Sequence, residues 1–490
     1  MISYLLLLPV VSIAALWLAK RESQIFALGI ASALIMLSAG VKLSIDVAAF
    51  GHVNERYILD FYVDSLSIIV LDLVLAVSLF VIIYCAGYFK KELERSKTDI
   101  KRLRLFYSLL FAFMFSMILL LTTPNMGIMW IAIEATTLAS VFLVGFENNK
   151  RSLEASWKYI IICSVGIAIA LLGIILLHIS SIGIIKSAGT ELSWTYLYEH
   201  AKELDVNLLR LAFIFMLVGF GTKAGLAPMH TWLPDAHSQA PSPVSAMLSG
   251  VLLNNAMYGI MRGLAILNKA LGNGSFAGAA LMTLGLLSIL TAAVFILTQR
   301  DYKRLLAYSS IEHMGIIALG LGVFTPASVL ASLMHMINHS FTKSMLFLSA
   351  GNIYQRYGTK DIYKVKGLYK SMPITGVVFM LGVFAITGMP PFSIFSSELG
   401  MVVALFENGS YFAGASFLFL LALVFVGFAV TLFKIFYGNA KGEQQKSLKP
   451  SPYADMVLIA MLGVITVTGV FMPNGVLKLL TDAQRIVTGG

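Results

Sequence analysis

The chain has 490 residues, 58% of them hydrophobic and only 12% charged, with a mean hydropathy of +0.85. Soluble domains carry about twice that share of charge, so a water-soluble globule is excluded. The net charge of +10 sits in loops between apolar runs, which makes it a sign of topology and not a nucleic-acid footprint.

A spanning helix takes about 20 apolar residues, so this length holds about 14 of them. The apolar pattern places them at 1–19, 24–45, 64–86, 105–121, 125–146, 155–178, 208–227, 243–268, 275–298, 303–322, 328–352, 373–392, 411–438 and 454–475. Prolines interrupt the seventh and the twelfth. The first run is followed, not preceded, by basic residues (Lys20, Arg21), so it is expected to be retained as a helix and not cleaved as a signal peptide. No Pro/Ser-rich linker divides the chain. The expectation is one integral all-α membrane domain.

Loops after odd-numbered helices hold 24 of the 35 Lys and Arg residues, among them seven between Lys90 and Arg104 and five between Arg356 and Lys370. Loops after even-numbered helices and the C-terminal tail hold nine: Lys42, Arg56, Lys186, Lys202, Arg210, Arg262, Lys269, Lys478 and Arg485. Cationic loops stay in the cytoplasm, which directs both termini outward. Cys85 and Cys163 both lie in apolar runs. Two cysteines make neither a disulfide framework nor an iron–sulfur or zinc cluster, so no cofactor is expected and any redox centre belongs to another chain.

Two cations remain inside the apolar runs, Lys223 and Lys343, together with Asp72, Glu134, Glu312 and Glu398. An ionisable group near the bilayer centre costs ~2.5–3.5 kcal/mol on insertion scales, so it usually faces the bundle interior and has a task. A structural ion pair is the plain alternative for any one of them. Glu134 stands mid-helix in MWIAIEATTLAS, with no basic residue nearby in sequence. Lys223 lies in FGTKAGLAPMH, five residues before Pro228, where a lost backbone donor breaks the helix. Broken helices are tolerated in membranes where the freed backbone lines a cavity. A Glu134–Lys223 pair would exchange a proton on opening and closing.

His335, His339 and Lys343 recur every four residues, so one helix face carries all three, each ~6 Å above the last. Histidine titrates near neutrality and suits proton relay. Buried histidines bonded to backbone are the plain reading of either alone. A metal site there needs further ligands, and Lys343 on the same face argues against a dication. Glu398 follows Pro390-Pro391, a second break, so an ionisable group accompanies each interruption. His230, Asp235 and His237 resemble a metal triad but fall in the segment after Pro228, where polar residues line a break. GFGTKAG fits neither a Walker loop nor a dinucleotide fingerprint.

The motif KAGLAPMHTWLPDAHSQAPSPVSAMLSG, followed by RDYKRLLAYSSIEHMG, HMINHSFTKSMLFLSAGN and GMPPFSIFSSELG, resembles the antiporter-like proton-translocating subunits shared by respiratory complex I, Mrp cation/proton antiporters and membrane-bound hydrogenases. The likeness spans roughly residues 60 to 440. RSLEASWKYIIICSVGIAIALLG, the pair Glu312-His313 and GVLLNNAMYG are most similar to the F-type subunit of formate hydrogenlyase and energy-converting hydrogenases.

The resemblance implies 14 helices, with three N-terminal helices (1–86), inverted five-helix repeats at 105–268 and 275–438, a last helix at 454–475, and discontinuous seventh and twelfth helices. By motif position it implies that Glu134 and Lys223 form the family's ion pair, that His335, His339 and Lys343 form its relay, and that Glu398 is its ionisable residue on the twelfth helix. Asp72, His230, His237, Glu312 and His313 are accessory positions. Asn254 stands where many relatives carry a lysine, and it is expected to order water between Lys223 and the histidines or else to bond a neighbouring helix. The implied protein is a non-redox membrane subunit in a prokaryotic cell membrane. Its implied partners are further antiporter-like subunits and a hydrogenase-like redox module, and its ion is the proton, with sodium as the alternative. An Mrp-type exchanger and a non-pumping hydrogenase anchor are the rival readings.

Overall fold

The computed structural model describes residues 1–56, 60–95, 98–182, 184, 191–437 and 451–489. Lys97, Lys186, Lys441, Lys446 and Lys449, counted above as loop cations, lie outside the described residues, as does position 438 at the expected end of the thirteenth helix. Eleven helices among the described residues are long and apolar enough to cross a membrane, so the chain is a multi-pass membrane protein. Ile2–Leu18 and Pro373–Ile386 are apolar but shorter. Pro326–Tyr357 is 32 residues long, and its polar face of His, Asn, Ser and Lys lowers its hydropathy.

Helix starts follow capping chemistry. Asp64, Asn125, Asn149, Asp205 and Asp301 each accept hydrogen bonds from two first-turn amides of the helix that follows. Ser242–Leu271 and Tyr302–Val323 are buried along their whole apolar stretch, whereas Glu22–Phe50 buries only 28% of its own. The former make the centre of the bundle and the latter its lipid-facing rim. Helices approach closely where side chains are absent: a Cβ on Gly219 would come within 2.6 Å of the Gly166 carbonyl on Lys150–Ser181.

Both interruptions lie where the prolines are. Val206–Ala224 ends at Gly225, which takes the left-handed conformation (φ 79°), and the chain resumes as Met229–Thr231 and Trp232–Gln239. Pro373–Ile386 stops before Gly388 (φ 68°) and resumes as Ser393–Glu407 beyond Pro390-Pro391. A third irregularity carries no proline: Leu248–Leu252 is a π-helical turn inside Ser242–Leu271.

Several elements depart from the expected pattern. An antiparallel hairpin pairs His52–Arg56 with Asp60–Asp64. The last predicted helix ends at Val470, and a separate amphipathic helix, Asn474–Thr488, follows. Arg262 and Lys303, counted as loop cations, are buried within helices Leu253–Leu271 and Tyr302–Val323. Each has partners that offset its desolvation. Arg262 Nη1 and Nη2 donate to the two carboxylate oxygens of Asp64 at 2.7 Å, and Lys303 Nζ donates to the Ala240 carbonyl at 2.6 Å.

Candidate functional site

Two lysine-centred clusters and a histidine–carboxylate cluster fill the bundle interior. In the first, Glu134 on Met126–Val144 accepts from Ser164 Oγ at 2.6 Å. Lys223 is fully buried in the last turn before the first break. Its Nζ donates to Thr137 Oγ1 at 2.7 Å and to Tyr159 OH at 2.8 Å, and lies 4.7 Å from the Tyr159 ring centre. Thr137 Oγ1 donates to Glu134 Oε2 at 3.4 Å. The expected Glu134–Lys223 pair is therefore bridged by a hydroxyl, not closed as a direct ion pair. Thr137 sits one helical turn from Glu134, so both reach the same space.

The second cluster repeats this chemistry. Lys343 Nζ donates to the Leu306 carbonyl and to Ser309 Oγ, both at 2.7 Å. Ser309 lies one turn from Glu312, and Glu312 interacts electrostatically with Lys343. In each case a buried lysine contacts a hydroxyl spaced three residues from a buried or half-buried glutamate.

The third cluster lies beside the second break. His313 Nδ1 and His335 Nε2 are 2.8 Å apart, and His335 Nδ1 is 2.9 Å from Ser397 Oγ. The His313 and His339 ring centres lie 5.4 Å apart. Both ring nitrogens of His339, Nε2 of His313 and Oε1 of Glu398 are buried without a protein partner among the described residues. His313, His335 and Glu398 each bring a ligand atom within 4.8 Å of the other two.

Asn254 is fully buried beside the π-turn. Its Nδ2 donates to Ser340 Oγ at 2.7 Å, to the Gly250 carbonyl at 3.1 Å and to the Met336 carbonyl at 3.3 Å, while Oδ1 has no partner among the described residues. It thus bonds the helix that carries the histidines and keeps one acceptor free. His237, placed among accessory positions, lies between the first two clusters. Its ring stacks on Phe347 at 5.2 Å, one turn beyond Lys343, and faces Trp232 at 6.4 Å. Trp232 in turn lies 4.9 Å from Tyr159, and both nitrogens of His237 are buried without a partner among the described residues.

His230 stands apart, against Tyr308. Asp235 pairs with Lys158 and Arg304 at 3.2 Å each, so His230, Asp235 and His237 do not converge as a triad. Asp72 is also separate, accepting from Ser44 Oγ at 2.6 Å between Glu22–Phe50 and Ser65–Glu94. Sequence reasoning missed the hydroxyl partners Thr137, Tyr159, Ser309 and Ser397. Only the three-residue spacing of Thr137 and Ser309 from a glutamate was a readable sign.

Residues 123–425 match the family described as NADH:quinone oxidoreductase/Mrp antiporter, transmembrane. The chain belongs to that family. As a member it is an antiporter-like, proton-translocating membrane subunit. It is 39% identical to the hydrogenase-4 component F homolog of Methylacidiphilum infernorum (isolate V4) over 406 residues, which cover 82% of this chain and 85% of that one. Among solved structures, the fold matches a chain of the membrane-bound sulfane sulfur reductase, an archaeal respiratory membrane complex, with a TM-score of 0.87 at 22% identity, covering 99% and 97% of the two chains. It also matches a chain of the Mrp complex from Dietzia sp. DQ12-45-1b, with a TM-score of 0.86 at 20% identity over the same shares.

Proposed function

We propose that this family member moves protons along Glu134, Lys223, His237, Lys343, Glu312, His339, His313, His335 and Glu398, as a subunit of a redox-driven, hydrogenase-like membrane complex. The observation that carries this reading is the placement of Lys223 on a hydroxyl shared with Glu134, and of Lys343 on a hydroxyl three residues from Glu312. A hydroxyl both donates and accepts, so it passes a proton where a direct ion pair would hold it. Asn254 serves the path as a fixed polar group beside it, with Oδ1 free for water. Hydroxyls and imidazoles line the route, which favours the proton over sodium, an ion that needs a cage of oxygens. The redox partner is proposed from the hydrogenase-4 component F relative.

The proposal extends to topology. The eleven long apolar helices, with Ile2–Leu18, Pro326–Tyr357 and the interrupted pair Pro373–Ile386 and Ser393–Glu407, make fourteen spans. The two interrupted helices occupy corresponding places in inverted repeats at 105–268 and 275–438. The chain sits in a prokaryotic cell membrane with both termini outside.

Lys223→Ala tests the path. Donor-driven acidification in membrane vesicles is expected to be lost while the chain still inserts and copurifies with its complex. Lys223→Arg is expected to impair it too, since guanidinium stays protonated at any accessible pH. Wild-type pumping in Lys223→Ala would leave the chain as an anchor. The Mrp-like fold supports a second reading, exchange; proton movement driven by a sodium jump without an electron donor would favour it.

A further inference from the structure

The histidine–carboxylate cluster has a geometry that proton transfer alone does not require. His313, His335 and Glu398 come from three different helices, Tyr302–Val323, Pro326–Tyr357 and Ser393–Glu407. All three are buried, and one nitrogen or oxygen from each falls within 4.8 Å of the others. No other set of three or more histidine, cysteine or acidic side chains with such spacing occurs among the described residues. Two imidazoles and one carboxylate are a donor set that suits a tetrahedral transition-metal dication with one open position.

Two further observations point to a cation there. Glu398 Oε1 and Glu312 Oε2 are both buried without a hydrogen-bond partner, and the two carboxylates interact with one another across the cluster. A buried carboxylate oxygen without a partner is relieved by a positive ion beside it. The objection from Lys343 also weakens. It lies eight residues beyond His335, about 12 Å along the helix, and its ammonium is engaged by the Leu306 carbonyl and Ser309. The cluster borders the second break, where Pro390 and Pro391 are exposed and Glu398 packs directly against Gly388.

We infer that His313, His335 and Glu398 form a binding site for a zinc-like dication that ties three helices together at the second break. Tetrahedral coordination separates ligand atoms by about 3.3 Å. The facing His313 and His335 nitrogens, 2.8 Å apart, would open slightly, and the Glu398 carboxylate would close in. The ion would displace the proton shared by the two imidazoles. On the reading proposed above, which this consequence rests on, it would stop transport through the second half of the chain.

The test reads binding without turnover. The purified complex is stripped with chelator, loaded with zinc and washed, and its zinc content is compared with that of complexes carrying His313→Gln, His335→Gln or Glu398→Gln. The expected result is one zinc per complex lost in each variant, or its affinity lowered at least tenfold. X-ray absorption of the loaded wild type is expected to show two imidazoles in the zinc shell. Should a variant fail to assemble, the remaining two and the absorption spectrum still decide. Zinc content unchanged in all assembled variants, or a shell without imidazole, overturns the site. Because no electron donor is present, a failed site is distinguishable from a failed relay, which the Lys223→Ala vesicle assay reads by itself.

Discussion

Thr137 is the residue on which the first cluster turns. Its hydroxyl accepts from Lys223 and donates to Glu134, so it links the two and, on the proposed path, carries the exchange between them. Thr137→Val keeps the branched shape and removes that link, leaving Lys223 its hydrogen bond to Tyr159. A hydrogen bond to a charged group contributes about 1.5–3 kcal/mol, so the lysine would be held less firmly in its charged form. Thr137→Val is therefore expected to slow proton translocation severalfold in vesicles, with Thr137→Ser close to wild type. Equal rates in the two variants would show that the lysine reaches the carboxylate by another route. The charged residues of this cluster were legible in the sequence because charge is rare in apolar runs. The hydroxyl was not, because serine and threonine are common in membrane helices and usually bond their own backbone, as Thr136 and Ser116 do here.

At the scale of elements, the hairpin and the central helix are pinned together by one buried ion pair. Asp64 ends the second strand and caps Ser65–Glu94, and it receives Arg262 from a helix 198 residues away. Ser67 and Tyr258 satisfy further guanidinium hydrogens, and the Trp194 ring lies 4.1 Å from the guanidinium carbon. Burial alone would raise the Asp64 pKa. The opposing charge of Arg262, its paired hydrogen bonds and those from Ser67 outweigh burial and hold it below the ordinary carboxylate value. A depressed folded pKa gives stability that is present above the unfolded value near 3.9 and lost as pH falls through the folded one. The pair is thus expected to be constant from pH 5 to 8. Arg262→Met strands the buried carboxylate and is expected to cost about 3–5 kcal/mol, seen as a lower Tm of the detergent-solubilised protein; Asp64→Asn in the same chain should recover part of it. An unchanged Tm in Arg262→Met would refute the pin. The helix breaks were readable from Pro228 and Pro390-Pro391, since proline acts locally. The Asp64–Arg262 pair, the hairpin and the π-turn at Leu248–Leu252 were not, because long-range partners and packing create them.

Across the whole molecule, polar contacts segregate to two ends in the same order as the loop charges. At one end Lys158 and Arg304 meet Asp235, Lys303 donates to the Ala240 carbonyl, and Lys360 bonds Ser238 and Gln239. Lys303 and Lys360 there face the carbonyl end of Trp232–Gln239, where cations are favoured. At the other end Lys478 donates to the Ala48 carbonyl, Asn268 to the Val487 carbonyl and Tyr198 to the Ile486 carbonyl. The C-terminal helix Asn474–Thr488 therefore packs on the end that holds the hairpin and the sparsely charged loops. That partition was foreseeable because loop charge is a global count, insensitive to shifts of a few residues at any helix end. Its direction across the membrane makes a prediction. Cys85 and Cys163 are buried and give a low labelling background. Asn273→Cys, exposed on the sparsely charged end, is expected to react with an impermeant maleimide added to intact cells. Tyr363→Cys, exposed on the cationic end, is expected to react only after the membrane is opened. The opposite pattern would invert the molecule and, with it, the side from which Lys223 and Glu398 are proposed to take their protons.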